Sequence, residues 1–171
     1  CFEAAWNELI RRHDILRTLF VYLNVDTPLQ VVLEERRLAV DIVDIDQSVN
    51  DQRQAFRQHF KQQQRAKPFA LDTDILLRLQ ILVLGDDSCE VVLTHHHIIM
   101  DGWSLGNLVK ESLDIYQRLI RAEQPRPATA RPYRQYIKWL QDRDDQASLE
   151  FWNDYIADYE VQATPVQIAH P

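Results

Sequence analysis

The residues best suited to chemistry are three consecutive histidines followed by an aspartate and a glycine: His95, His96, His97, Asp101 and Gly102. A neutral imidazole can accept a proton near pH 7, so a histidine beside a substrate can act as a general base. Histidines near a carboxylate can also bind a metal ion, but successive strand residues point to opposite sides. A metal site is therefore the weaker alternative, and a purely structural role is favoured for His95 alone.

The elements that would position the cluster are a strand before it and a helix after it. Residues 89–100 are rich in Val, Ile and Leu, which predicts a buried strand at the centre of a sheet. Alternation along this strand places His95 and His97 on one face and His96 on the other. Residues 103–122 carry apolar residues at helical spacing. The carboxyl end of a strand, where the chain turns into a helix, is a common place for a site in α/β proteins.

The turn between this strand and helix contains two of the three glycines in the chain, Gly102 and Gly106. Glycine adopts backbone conformations that other residues avoid and lets other groups approach the main chain. We therefore expect an unusual backbone conformation and ligand access at Gly102, and close helix packing at Gly106. Ser104 is a candidate N-cap of the helix, and Trp103 is interpreted as a core residue.

Length and composition favour one globular domain that binds neither nucleic acid nor a membrane. The 171 residues are 46% hydrophobic and 26% charged, which is enough for a packed core. The net charge of −7 differs from the basic surface of most nucleic-acid-binding proteins and would be repelled by anionic lipids. The sequence shows no leader and no membrane-spanning run, and its two cysteines predict a reducing, cytoplasmic setting.

The remaining pattern predicts a mixed α/β fold in which strands and helices do not strictly alternate. Helices are predicted over 2–17, 50–65, 103–122, 133–143 and 147–159, and strands over 18–24, 29–35, 38–45, 75–85 and 89–100. Turn residues around Pro28 and Gly85 separate two pairs of strands and predict hairpins. The C-terminal residues 161–171 are expected to be extended.

Five sequence blocks, in order, resemble the condensation domains of non-ribosomal peptide synthetases, members of the chloramphenicol-acetyltransferase-like superfamily. HHIIMDGWS at 96–104 resembles the HHxxxDG signature, and RHDILRTLF at 12–20 resembles RHExLRTxF with Asp14 in place of glutamate. Three further blocks match: KPFALDTDILLRLQILVL at 67–84, YRQYIKWLQ at 133–141 and FW at 151–152. The resemblance implies an α/β (α+β) two-layer sandwich, a chloramphenicol-acetyltransferase-like lobe with a mixed sheet covered by helices.

The resemblance also implies a reaction and a role for each residue of the signature. The amine of an aminoacyl acceptor thioester attacks an acyl or peptidyl donor thioester, and His97 accepts the proton of the amine or holds the amine in line. Each substrate would ride on the 4'-phosphopantetheine arm of a peptidyl carrier protein, and the domain itself would bind no cofactor. His96 would be structural, and Asp101 would pair with Arg17 or, as second candidate, with Arg12. Three residues would lie near the substrate arms: Gly102, Trp103 and Ser104.

The resemblance further implies that the chain is one lobe of a two-lobed enzyme. Residues 1–145 would be the N-terminal lobe without its first motif, and residues 146–171 a helix and extended segment leading to an absent C-terminal lobe. Its partners would be donor and acceptor carrier proteins, that lobe and a neighbouring adenylation domain, and the chain alone would be inactive or nearly so. Two alternatives stay open: an acyl-coenzyme A-dependent acyltransferase of the same superfamily, and a non-catalytic lobe that only docks carrier proteins.

Overall fold

The computed structural model describes residues 1–45, 50–85, 88–127 and 131–159. The chain divides into two compact units, residues 1–133 and residues 134–171. The histidine cluster lies in the first unit. The boundary predicted after residue 145 is of a different kind, because it separates the N-terminal lobe from the segment that leads to a second lobe. It stays a prediction.

The strands of the first unit form a hairpin and a mixed sheet. β1 (Thr18–Val21) and β2 (Leu29–Val32) pair antiparallel. β3 (Val40–Asp44) runs parallel to β4 (Leu77–Gly85), and β4 pairs antiparallel with β5 (Ser88–His95). Both predicted hairpins are therefore confirmed, and the larger sheet has the strand order β3–β4–β5.

The central strand of the described sheet is β4, so the prediction that residues 89–100 form a central, two-sided buried strand is wrong. Three of the four leucines of β4 are almost fully buried, with at most 1% exposure at Leu77, Leu79 and Leu82. β5 lies at the edge, and its Val91 is 45% exposed. A run of Val and Leu favours a strand, but it does not distinguish an edge strand from a central one.

Helices pack against both faces of this sheet. The helices of the first unit are α1 (Phe2–Arg12), α2 (Asn50–Ala66) and α3 (Gly102–Ile120). Leu9 of α1 and Ile115 of α3 are fully buried in one core cluster that includes Leu79 of β4. Phe60 of α2 packs in a second cluster with Leu82, which points to the opposite face because side chains alternate along a strand. The mixed sheet with its helices confirms the predicted α/β class.

α1 is shorter than the helix predicted over 2–17, because His13 leaves the helical conformation. His13 has φ −107° and ψ 108°, and Asp14–Arg17 continue as a 3₁₀ helix. The buried side chains of α1 recur at the predicted helical spacing: Ala5, Trp6, Leu9 and Ile10. The bend at His13 leads the RHDILRT block from the end of α1 into β1.

The second unit contains α4 (Arg134–Gln141) and α5 (Asp145–Ile156), which confirm the last two predicted helices. The extended segment predicted over 161–171 lies outside the described residues. Of the helices within the described ranges, none is long and apolar enough to cross a membrane.

Candidate active site

The histidine cluster lies where β5 ends and the chain turns towards α3. The N–H of His96 donates to the carbonyl oxygen of Leu76 at 3.0 Å. The chain then folds back on His96, whose Nδ1 accepts the N–H of Ile98 at 3.1 Å and whose carbonyl oxygen accepts the N–H of Ile99 at 3.2 Å. His97 therefore lies in a tight turn that is closed by hydrogen bonds to His96.

His95 and His97 lie close together, as predicted, but not through strand alternation, because β5 ends at His95 and His97 lies in the turn that follows it rather than in the strand predicted over 89–100. Their ring centroids are 6.2 Å apart, whereas the ring of His96 contacts Phe69 with centroids 6.3 Å apart. His97 is exposed and His95 is half-buried. Burial, together with the neighbouring His97 and His96, lowers the pKa of His95 below its usual value, which keeps this ring neutral at pH 7.

The cluster is not arranged as a metal site. Within the part of the chain that the structure describes, no group of three or more His, Cys, Asp and Glu residues could hold a metal ion. The ring of His96 is directed to Phe69, while His95 and His97 lie beside each other. His97 is the exposed imidazole of the three.

Asp101 is the N-cap of α3. Its Oδ1 accepts the N–H of Ser104 at 2.8 Å, and its own backbone is extended. Hydrogen bonds from the side chain and the N–H of Ser104 hold the pKa of Asp101 below its usual value, so Asp101 is a carboxylate at neutral pH. A carboxylate at this position also suits the positive end of the helix dipole. The prediction that Ser104 is the cap is wrong, because Ser104 donates to the residue that caps.

Arg17 and Arg12, the predicted partners of Asp101, pair with other carboxylates in the described structure, so that prediction is wrong. Arg17 Nη2 donates to Oδ1 of Asp14 at 2.5 Å, three residues away in the 3₁₀ helix. Arg17 also lines a cavity of about 640 Å³, whose other walls come from α1 and residues 34–39 rather than from the histidine turn. Asp101 is exposed and engaged as a helix cap, a role that needs no arginine.

Arg12 and His13 instead connect the RHDILRT block to the middle of α3. The Arg12 side chain is 5% exposed and lies 2.7 Å from a carboxylate oxygen of Glu8 and 2.9 Å from one of Glu111. His13 Nε2 lies 2.7 Å from the other carboxylate oxygen of Glu111. Glu111 therefore joins the end of α1 to the helix that begins after Asp101. No local pattern in the sequence marks Glu111, which lies 99 positions from Arg12.

Replacing Glu111 by glutamine is expected to lower the free energy of unfolding by about 1 kcal/mol at pH 7. Burial raises the pKa of Glu111, but the hydrogen bonds of His13 and Arg12 outweigh it and leave the pKa below its usual value. A lowered folded-state pKa stabilises the fold above the unfolded-state pKa, about 4.3, and this contribution is lost as the pH falls through the folded-state pKa.

Thermal unfolding of both forms between pH 7 and about pH 3.5 measures this dependence. The difference in Tm between wild type and Glu111→Gln should be constant above about pH 5 and should shrink below about pH 4. Glu123→Gln is the control, because Glu123 makes only a half-exposed pair with Arg118 at 3.4 Å. A Tm difference that does not depend on pH would contradict the assignment of this ion pair.

Gly102 and Gly106 adjoin open space. Apart from the chain neighbours and the adjacent backbone of α3 itself, a Cβ atom added at either glycine would meet no atom of the described residues within 4 Å. Gly102 is the first residue of α3, so the unusual backbone conformation expected there is wrong, as is the close packing expected at Gly106. Trp103 is 88% exposed, so its interpretation as a core residue is also wrong for this chain. Ligand access at Gly102 is still a prediction, and the open space beside it is compatible with it.

Two residues next to the cluster are missing from the predicted site: Phe69 and Arg78. Arg78 Cζ lies 3.7 Å from the ring centroid of Phe69, which in turn contacts His96. Both residues belong to the block at 67–84 that resembles the condensation domain family, and that block was the sequence signal that could have drawn attention to them. Arg78 is brought near the histidine turn by the register of β4 and β5, in which it lies opposite Thr94, and the sequence does not specify that register.

Replacing Asp101 by alanine is expected to lower Tm by less than replacing Arg12, because only the α3 cap is lost. Asp101→Asn should leave Tm unchanged, since its side-chain oxygen can accept the N–H of Ser104. Thermal unfolding of both variants and of wild type is the measurement. A fall in Tm for Asp101→Ala as large as that for Arg12→Met would indicate that Asp101 neutralises a buried arginine after all.

The family model described as "Condensation domain" matches residues 1–168. The chain belongs to the condensation domain family. The turn with His97 and Asp101 is therefore the HHxxxDG segment of a condensation domain.

Curated relatives are much longer than this condensation domain segment. One of the plipastatin synthase proteins of Bacillus subtilis (strain 168) is 38% identical over 165 residues, which are 96% of this chain and 6% of the relative. Bacitracin synthase 3 of Bacillus licheniformis is 34% identical over 161 residues, which are 94% of this chain and 2% of the relative. The chain thus spans a small part of the synthetases it matches.

A solved structure shows the same fold. A double mutant of the starter condensation domain of rhizomide synthetase, in a product-released conformation, superposes with a TM-score of 0.83 at 20% identity. The alignment covers 99% of this chain and 39% of the solved chain. This agreement confirms the predicted α/β fold, a mixed sheet covered by helices.

Proposed function

We propose that this chain is the part of a condensation domain that presents His97 to two carrier-bound thioesters and takes part in amide formation between them. The observation that carries the proposal is the exposed imidazole of His97, held in a hydrogen-bonded turn at the start of α3, within a chain that matches the condensation domain family over 168 residues. An imidazole that is fixed in position and open to the outside can meet a substrate without a rearrangement of the fold.

In the proposed reaction, the amine of the acceptor attacks the thioester carbonyl of the donor. A carbon–nitrogen bond forms, the carbon–sulfur bond breaks, and the proton of the amine passes by way of His97 to the leaving thiolate. His97 is suited to this transfer because an imidazole can both accept and donate a proton. His95, which is neutral at pH 7, lies beside it without adding a positive charge.

The start of α3 would stabilise negative charge on the reacting carbonyl oxygen. The first N–H groups of a helix have no carbonyl partner within the helix, and the helix dipole adds partial positive charge there. The carboxylate of Asp101 takes the N–H of Ser104, which leaves the N–H groups of Gly102 and Trp103 as the candidates for this role. The missing Cβ of Gly102 leaves room for a thioester to approach them.

The substrates and partners belong to the same proposal. Both thioesters would be carried on the 4'-phosphopantetheine arms of donor and acceptor peptidyl carrier proteins, with no resident cofactor in the domain. The C-terminal lobe would supply the opposite wall and an adenylation domain would act nearby, so the chain alone would be inactive or nearly so. The need for a further lobe is supported by the coverage of the solved condensation domain chain, because this chain aligns with only 39% of it. A cytoplasmic location is part of the proposal, and the two free, exposed cysteines support it.

The experiment uses the complete condensation domain that contains this chain. An acyl-loaded donor carrier and an aminoacyl-loaded acceptor carrier are mixed with it, and the mass of the intact acceptor carrier is followed. A mass increase equal to the acyl group supports the proposal. Transfer of the same acyl group from coenzyme A to a free amine or alcohol, with none to the carrier, would favour the acyltransferase alternative. Binding of carriers without any transfer would favour a docking lobe.

A further inference from the structure

Phe69 lies between the guanidinium group of Arg78 and the ring of His96. The Cζ atom of Arg78 is 3.7 Å from the centroid of the Phe69 ring, a distance at which a cation is attracted to the ring face. The rings of Phe69 and His96 have centroids 6.3 Å apart and planes at 85°, which is an edge-to-face contact. Three side chains from separate segments thus form one continuous stack that ends at the histidine turn.

The Arg78 end of this stack is fixed by the backbone. Arg78 Nη2 donates to the carbonyl oxygens of Lys67 at 2.6 Å and Gln64 at 3.2 Å, and Nη1 donates to that of Pro68 at 3.1 Å. These carbonyl groups belong to the end of α2 and the residues that follow it, where an α-helix leaves carbonyl groups without helical partners. The guanidinium group is therefore anchored to the segment that carries Phe69, and its plane cannot turn freely.

The His96 end of the stack sets the shape of the turn that holds His97. Its Nδ1 accepts the N–H of Ile98 at 3.1 Å, so the ring must keep one orientation and must carry its proton on Nε2 when it is neutral. Rotation of the His96 ring would break this bond and leave the turn around His97 closed only by the backbone bond from Ile99 N–H to the His96 carbonyl oxygen, among the hydrogen bonds of the described residues. The edge-to-face contact between the rings of Phe69 and His96 restrains such a rotation.

We propose that Phe69 and Arg78 are positioning residues that hold the His96 ring and, through it, the imidazole of His97 in place for the reaction. This inference rests on the proposed function for its catalytic readout, but the stack itself can be tested without activity. A displacement of about 1 Å at a reacting group can cost about 10²-fold in rate. Loss of the Phe69 ring is therefore expected to lower kcat by roughly 10–100-fold with little change in KM.

The kinetic test compares Phe69→Leu and Arg78→Lys with two matched controls in the complete domain. Phe69→Leu keeps an apolar side chain but removes the ring, and Arg78→Lys keeps the charge but removes the planar group. The controls are Phe56→Leu, which removes a ring stacked on Phe60 elsewhere in the first unit, and Arg57→Lys, which alters a pair with Glu90. Phe69→Leu and Arg78→Lys should each have a lower kcat and an unchanged KM. Phe69→Tyr should keep most of the wild-type kcat, and both controls should have the kcat and KM of wild type.

Nuclear magnetic resonance of the histidine side chains tests whether Phe69 positions His96 and His97 or only fills space in the fold. Wild-type protein should show nuclear Overhauser contacts between the Phe69 and His96 rings, and nitrogen shifts of an Nε2-protonated tautomer for His96. Phe69→Leu should shift the ring signals of both His96 and His97, while Phe56→Leu should not. This measurement on wild type does not depend on whether any variant folds.

The outcomes separate the two proposals. Wild-type kcat in Phe69→Leu, or unchanged His97 signals, would overturn the positioning role while leaving the proposed function intact. A wild-type domain that forms no amide would overturn the proposed function, and the histidine signals would still decide the positioning role. If Phe69→Leu lowers both kcat and Tm, and Phe69→Tyr restores neither of them, Phe69 acts only as a core residue. That result would overturn the inference.

Discussion

Replacement of His97 by alanine in the complete condensation domain is expected to lower the rate of amide formation by about 10²–10⁴-fold. The His97 ring is exposed, so its removal leaves no cavity and should not change Tm. The rate is measured under single-turnover conditions with saturating carrier substrates, by the mass of the intact acceptor carrier. Single turnover separates the chemical step from carrier binding and release.

The matched control for this prediction is His95→Ala, because it removes a second imidazole 6.2 Å from the first. His95 is half-buried, and we expect a loss of less than about tenfold, since it does not meet the substrate in the proposed site. A His97→Ala rate within about threefold of wild type would remove His97 from the reaction. A larger loss in His95→Ala than in His97→Ala would show that His95, and not His97, is the reacting imidazole.

Replacement of Arg12 by methionine is expected to lower the free energy of unfolding by about 2 kcal/mol. Methionine keeps most of the side-chain volume but leaves the carboxylates of Glu8 and Glu111 without their shared cation. The Arg12 side chain is buried, so water replaces these bonds poorly. Urea unfolding of the complete domain, followed by tryptophan fluorescence, gives the change in midpoint at constant slope.

The control is Arg11→Met, because Arg11 binds the same Glu8 from a side chain that is 69% exposed. An exposed pair of this kind contributes about 0–1 kcal/mol, so this variant should stay close to wild type. A double-mutant cycle of Arg12→Met with Glu111→Gln isolates the link between α1 and α3, and it should give a coupling of about 1 kcal/mol or more. Equal midpoints for Arg12→Met and Arg11→Met would show that burial of Arg12 contributes nothing.

The local parts of this fold could be predicted from the sequence because their signals are local. Helical spacing locates α1, and hairpin turn residues locate the pairing of β4 with β5. Strand alternation predicts that His95 lies beside His97, and the two rings are close, although His97 lies in the turn after β5. The pairing of Asp14 with Arg17 could also have been predicted locally, because a 3₁₀ helix brings residues three positions apart onto the same side.

The remaining features could not be predicted because they depend on contacts between distant segments. Glu111 meets Arg12 only after α3 has packed on α1, and no pattern within either helix specifies that crossing. The edge position of β5 depends on which strands pair with it, which its own apolar residues do not specify. Trp103 has a large apolar side chain of the kind often found in a core, but its exposure depends on which distant segments pack against α3, and the residues of α3 do not specify them.

The most direct measurement is a structure of the complete domain bound to a stable amide analogue of the aminoacyl pantetheine acceptor. The deciding quantity is the distance from the amine nitrogen of the analogue to the nearest imidazole nitrogen of His97. We expect this distance to be about 2.6–3.2 Å, with the pantetheine arm passing beside Gly102. An amine bound against a different side chain, with His97 beyond the reach of one bridging water, would contradict the claim that the two substrates react at this turn.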